Sequence, residues 1–156
     1  MATDMYGMFV RRNKAGEVSP ISLEGVWDFD RSYPLFTMLC NIRRRNNYDI
    51  EPILDSPNGM PDWVVTDADL NPYNPTNEYA TKLHIDIGGL GDYDFSHLDF
   101  DTILEYDISK MTVSDYEGEY LPLGELWSVQ EFLGSIRLTK DKYPNDKLYM
   151  LFGFDA

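Results

Sequence analysis

The sequence is poor in cysteine, histidine and positive charge, and it contains no long apolar run. Cys40 is the single cysteine among 156 residues, which excludes an intramolecular disulfide and a cysteine-rich zinc cluster. His84 and His97 are the only histidines, and neither sits in a recognised nucleophile or metal motif. No stretch approaches the roughly 18 apolar residues of a membrane-spanning helix, and the opening MATDMYGMFVRRNK has no apolar core of a signal peptide. The expectation is a soluble, cytoplasmic protein without a tail. Gly88-Gly89-Leu90-Gly91 is not followed by Lys and Ser or Thr, so it is no P-loop, and no Gly-x-Gly-x-x-Gly occurs. Internal repeats and low-complexity segments are absent as well.

What is abundant is negative charge. Twenty-seven acidic residues face 13 basic ones, a net charge of −14. Residues 66–119 hold thirteen of the acids and only Lys82 and Lys110, so about a third of the chain carries −11 of that charge. Within it, Asp86 to Asp107 contains Asp86, Asp92, Asp94, Asp99, Asp101, Glu105 and Asp107 with no Lys or Arg. Such a chain repels long nucleic acid and anionic membranes and attracts basic proteins or cations. The plain alternative is that the acids only keep the protein in solution.

Apolar residues make up 43% and aromatics 14%, enough for one core, and the length suits a single domain. Met5 to Arg12 reads as a strand, NKAGE as a turn through Gly16, and Val18 to Leu23 as its hairpin partner with Pro20 on an edge. Ser32 as cap, Pro34 in the first turn and the stripe Leu35, Phe36, Met38, Leu39, Ile42 predict a helix over 32–45 closed by Arg43, Arg44 and Arg45. Residues 49–81, with five prolines and Trp63, read as an ordered excursion. Lys82 to Ile87 alternates as a half-buried strand, the glycines after it form a loop, and Asp99 caps a short helix carrying Phe100, Ile103 and Leu104. Thr112 to Pro122 reads as irregular with a turn at Glu117-Gly118, Gly124 to Leu138 as a helix, and Lys147 to Phe154 as the closing strand. The order predicts an α+β domain with a small mixed or antiparallel sheet, containing 82–87 and 147–154, and two to three helices packed on it.

Ser32-Tyr33-Pro34-Leu35-Phe36 through Ile42-Arg43, Asn58-Gly59-Met60-Pro61, Asp92 to Leu98 with Ile103 to Asp107, and the closing Phe152-Gly153-Phe154-Asp155 carry a likeness. The chain resembles a family of small phage and prophage proteins with a Tyr-x-Leu-Phe-x-x-Leu-x-x-Val-Arg helix, a Gly-Leu-Pro turn, an Asp-x-His-Ser-x-Ser-x-Leu block and a terminal Phe-Asp. Asp94 and Phe95 stand where that pattern has His-Ser, while Ser96 and Leu98 keep their places. The resemblance implies a viral accessory origin and no particular chemistry.

Three functions from different classes fit. The first is a counter-defence binding protein that blocks a host bacterial protein with a basic surface. Asp86, Asp92, Asp94, Asp99, Asp101, Glu105, Asp107, Asp115, Glu117 and Glu119 would form the contact, imitating a phosphate backbone. The second is sequestration of a small (cyclic) nucleotide signal by Arg43, Arg44 and Arg45, with Tyr33, Tyr48 or Trp63 stacking on the base. The third is a small hydrolase using Ser96 or Cys40 with His84 or His97. The balance favours binding over catalysis, with no cofactor or metal: Asp92-x-Asp94 and Asp99-x-Asp101 lack the remaining ligands of a calcium loop.

Overall fold

The computed structural model describes residues 3–21, 31–66, 82–85, 87–115 and 117–155, and its centre is the closing strand β9 (Lys147–Asp155). This strand is apolar almost throughout because both of its faces are covered. Leu148, Met150, Phe152 and Phe154 belong to one core, and Leu151 to another on the opposite face. β1 (Asp4–Arg12) runs antiparallel along all of it, from Asp4 opposite Asp155 to Arg12 opposite Lys147. The chain then turns through Gly16 into β2 (Val18–Ile21), an outer strand that accommodates Pro20. Residues 22 and 23, the expected end of that hairpin, lie outside the described residues. β6 (Tyr93–Asp99) pairs with the other side of β9, and the sheet order is β2-β1-β9-β6.

Helices cover one face. In α1 (Tyr33–Cys40), Ser32 Oγ accepts the Leu35 N–H, and Leu35, Phe36, Met38 and Leu39 are buried against the sheet. α2 (Phe100–Glu105) starts where β6 stops, because the Asp99 carboxylate accepts the Thr102 N–H at 2.7 Å. α3 (Trp127–Lys142) adds Val129, Phe132 and Ile136 to the same core, with Lys140 and Lys142 at the negative end of its dipole. On the other face, Val10 and Leu151 are covered by Trp63, Leu83, Ile85 and Leu90. Trp63, Leu83 and Ile85 come from or beside β4 (Val64–Thr66) and β5 (Leu83–Ile85), a parallel pair, and Leu90 from the 3-10 turn Ile87–Leu90. A small antiparallel sheet of β3 (Tyr48–Asp49), β7 (Thr112–Ser114) and β8 (Tyr120–Pro122) completes a single-domain α+β fold. No described helix is long and apolar enough to cross a membrane.

Several expectations need correction. The first helix stops at Cys40, because Asn41 takes the left-handed conformation (φ 63°) and returns its N–H to the carbonyls of Phe36 and Thr37. Arg43 also has a positive φ (58°), so the three arginines lie in the loop after the helix and do not close it. The strand at 82–87 is shorter, and it is not in the sheet with β9: its partner is β4. Alternation revealed that it is half buried, but not what it pairs with. Between Gly91 and Asp99 the sequence suggests loop, whereas the structure has β6. Its period is broken by a register shift between Tyr93 and Ser96, where Asp94 has φ 55°. Thr112 to Pro122 is a hairpin around the expected turn. The last helix begins later, after a 3-10 turn at Leu123–Glu125, and ends later, at Lys142. Of the excursion at 49–81, residues 67–81 lie outside the described residues.

Candidate functional site

The acids that are neighbours in sequence separate in space. Asp92 joins Asp4 and Asp155 around Tyr6, whose hydroxyl donates to Asp155 Oδ2 at 2.8 Å. That bond, with the surrounding negative charge, raises the phenol's pKa. Asp101 pairs with Lys140, and Glu105 and Asp141 add their fields to the same ammonium. Asp115, Glu117 and Glu119 sit at the exposed tip of the β7–β8 hairpin, where Asp115 Oδ1 accepts the backbone N–H groups of Glu117 and Glu119 at 2.9 Å. Asp107 turns to Ser109, and its hydrogen bonds there hold its pKa below the usual carboxylate value. Asp99 is the cap of α2, Asp94 is half-buried, and Asp86 lies outside the described residues. Among the described residues, Asp101 is the only member of the set in an ion pair.

Ser96 and His97 of the hydrolase reading are committed to structure. Ser96 is fully buried, and its Oγ accepts the Asn58 N–H at 3.3 Å. His97 Nδ1 lies 2.8 Å from the Gly59 carbonyl, which can only accept, so the proton is on Nδ1. The Asn58 side chain meets both backbone groups of His97, accepting its N–H at 2.9 Å and donating to its carbonyl at 3.1 Å. Gly59 N–H donates to the Phe95 carbonyl at 2.7 Å. His84 is exposed on β5. Among the described residues, no group of three His, Cys, Asp or Glu is placed to hold a metal ion.

Cys40 is buried, and desolvation, helped by the Asp94 charge, pushes its thiol up to about 12 from 9.0. At pH 8 the thiolate fraction is then roughly a thousandfold below that of an open thiol, so iodoacetamide should label native protein at least that much more slowly than protein in denaturant. The raised pKa also stabilises the fold below about pH 9. This contribution should be lost as the pH rises from about 9 towards 12, where only the unfolded thiol ionises. Equal labelling rates with and without denaturant would show that the thiol is open.

The basic cluster is divided too. Arg44 faces its own loop, donating to Asn41 Oδ1 at 2.6 Å and to the Ile50 carbonyl at 2.5 Å. Arg43 donates from Nε to Thr3 Oγ1 at 2.6 Å. Arg43 and Arg45 lie over the Tyr33 ring, at 5.8 and 5.2 Å from its centroid. Trp63 is not with them: it packs on Tyr149, centroids 5.0 Å apart, in the core on the opposite face of the sheet. In its place the structure supplies Trp127, 71% exposed, and Arg31. These two, with Ser32, Tyr33, Arg45, Tyr48 and Ser128, line a cleft of about 640 Å³ where the N-termini of α1 and α3 meet. Ser32 Oγ and Ser128 Oγ, 2.7 Å apart, tie the two helix starts together. Arg31 and Trp127 are far apart in sequence, and no local pattern connects them. Only the caps at Ser32 and Leu126 mark the helix ends that the cleft joins.

No protein family, curated protein or solved structure matches this chain. The stretches that carry the phage-protein resemblance meet in the fold instead. Phe36 of α1 packs edge-on against Phe154 at 5.2 Å, and the Asn58-Gly59 turn is fastened to β6 beside β9.

Proposed function

We propose that the protein is a non-catalytic accessory protein of phage type that engages a basic protein through its exposed carboxylates. The observation carrying this reading is that Asp92, Glu105, Glu117 and Glu119 are exposed and, among the described residues, form no ion pair. Apart from the field that Glu105 adds at Lys140, their charge is open to solvent, where a cationic surface can neutralise it. Spread over the end of the main sheet, α2 and the β7–β8 hairpin, they suit a broad contact with a host protein's nucleic-acid-binding face. The nucleophile candidates are fastened into turns and core, which supports binding over hydrolysis.

Asp99, Asp101 and Asp115 have structural bonds, so the test leaves them alone. A variant carrying Asp92→Asn, Glu105→Gln, Glu117→Gln and Glu119→Gln loses four charges and no described hydrogen bond. The parent should retain a basic protein from bacterial lysate at low salt and release it as ionic strength rises, since screening acts over about 10 Å at 0.1 M. The variant should retain little of it. If the variant captures the same protein equally at low and high salt, the acids serve solubility alone.

A further inference from the structure

We infer that the cleft between the starts of α1 and α3 binds a nucleotide, with its phosphate at Arg31 and Arg45 and its base against Trp127. In a chain of net charge −14, two arginines line this one cleft together with three aromatic side chains, Tyr33, Tyr48 and Trp127. Its volume, about 640 Å³, falls in the roughly 300–1,000 Å³ range of small-ligand sites. The net acidity of the chain disfavours a long polyanion, whereas a single nucleotide phosphate needs only the two guanidinium groups of the cleft.

Each lining group has a chemical use. Among the described residues Arg45 is in no ion pair, and its guanidinium lies over the Tyr33 ring with donors left for a phosphate. Arg31 is held by Asp4, with Nε at 2.9 Å and Nη2 at 2.8 Å from the same Oδ1, and that bond raises its pKa. Asp4 thus orients the guanidinium while occupying two of its five N–H donors. Trp127 presents its indole to water, the arrangement that lets a base stack on it. Leu126 gives α3 no side-chain cap, and Trp127 and Ser128 of its first turn line the cleft. This site does not depend on the acidic-surface reading and shares no residue with it.

Calorimetry on the full chain with AMP, cyclic AMP, ADP, adenosine and inorganic phosphate tests the assignment. At least one nucleotide should bind, with adenosine and inorganic phosphate each about tenfold weaker or more. Arg45→Ala and Trp127→Ala, both exposed positions, should each lower that affinity about tenfold, whereas Lys14→Ala in the β1–β2 turn should leave it unchanged. Thermal melts establish that the variants are folded. Absence of heat with every nucleotide overturns the inference. So does affinity that survives both substitutions, and so does inorganic phosphate binding as tightly as the nucleotides, which would mean that no base is recognised.

Discussion

Gly153→Ala should lower the melting temperature by roughly 6–12 °C, although it adds only one methyl group. A β-carbon at this position would stand 2.1 Å from the Leu90 carbonyl oxygen and 2.8 Å from the Phe95 ring. The first of these atoms is backbone and cannot swing aside. Overpacking a core typically costs about 1–3 kcal/mol, and a clash with main chain belongs at the upper end. For a protein of this size each kcal/mol corresponds to roughly 2–4 °C. The interlock is reciprocal: Gly91 has φ 86°, and a β-carbon there would meet the Phe154 carbonyl oxygen at 2.5 Å. That carbonyl also accepts the Asp92 N–H at 2.8 Å, so neither chain can retreat without losing a bond. Circular dichroism melts of both alanine variants would measure the effect. A fall below about 2 °C for Gly153→Ala would mean that the segment at 87–91 moves freely away from β9.

Phe36→Ala should cost about 3–5 kcal/mol, the usual range for removing a buried phenyl ring. Phe36 is fully buried and packs edge-on against Phe154, with Tyr33 on its other side at 5.8 Å. Deleting its ring leaves a void between α1 and the central strand, which rigid neighbours fill poorly. Leu133→Ala, on a half-buried position of α3, should cost less than about 2 kcal/mol. Urea unfolding with an unchanged slope would report both values as stability differences. Similar losses at the two sites would place Leu133 as deep in the core as Phe36.

The parts of the fold legible in the sequence were those written in local signals. Ser32 and Asp99 mark two helix starts, Gly118 a turn, and the apolar run at 147–154 the closing strand. β6 escaped because the irregularity at Asp94 interrupts the two-residue period, and a run of acids around a strand resembles a loop in composition. Adjacent arginines look like one unit in the sequence, yet successive residues in a loop point in different directions: Arg44 to Ile50, Arg43 to Thr3, Arg45 to the cleft. Trp127 stands where the sequence suggests Trp63 for a similar reason. Which aromatic joins which cation depends on the face of the sheet each reaches, and that is decided by long-range packing.

The Asn58-Gly59 turn has a bearing on how this protein can meet others. An outer strand normally presents a row of open N–H and C=O groups on which another chain can add a strand, whether a partner peptide or a second copy on the way to aggregation. Along β6 the Phe95 carbonyl accepts the Gly59 N–H, and both backbone groups of His97 meet the side-chain amide of Asn58, which imitates a peptide unit. At the opposite margin β2 is four residues long and includes Pro20, which has no N–H to offer. The four-stranded sheet is thus closed to extension at β6 and a poor template at β2. Asn58→Ala would uncap a ladder, and its effect should appear less in monomer stability than in a tendency to self-associate at high concentration.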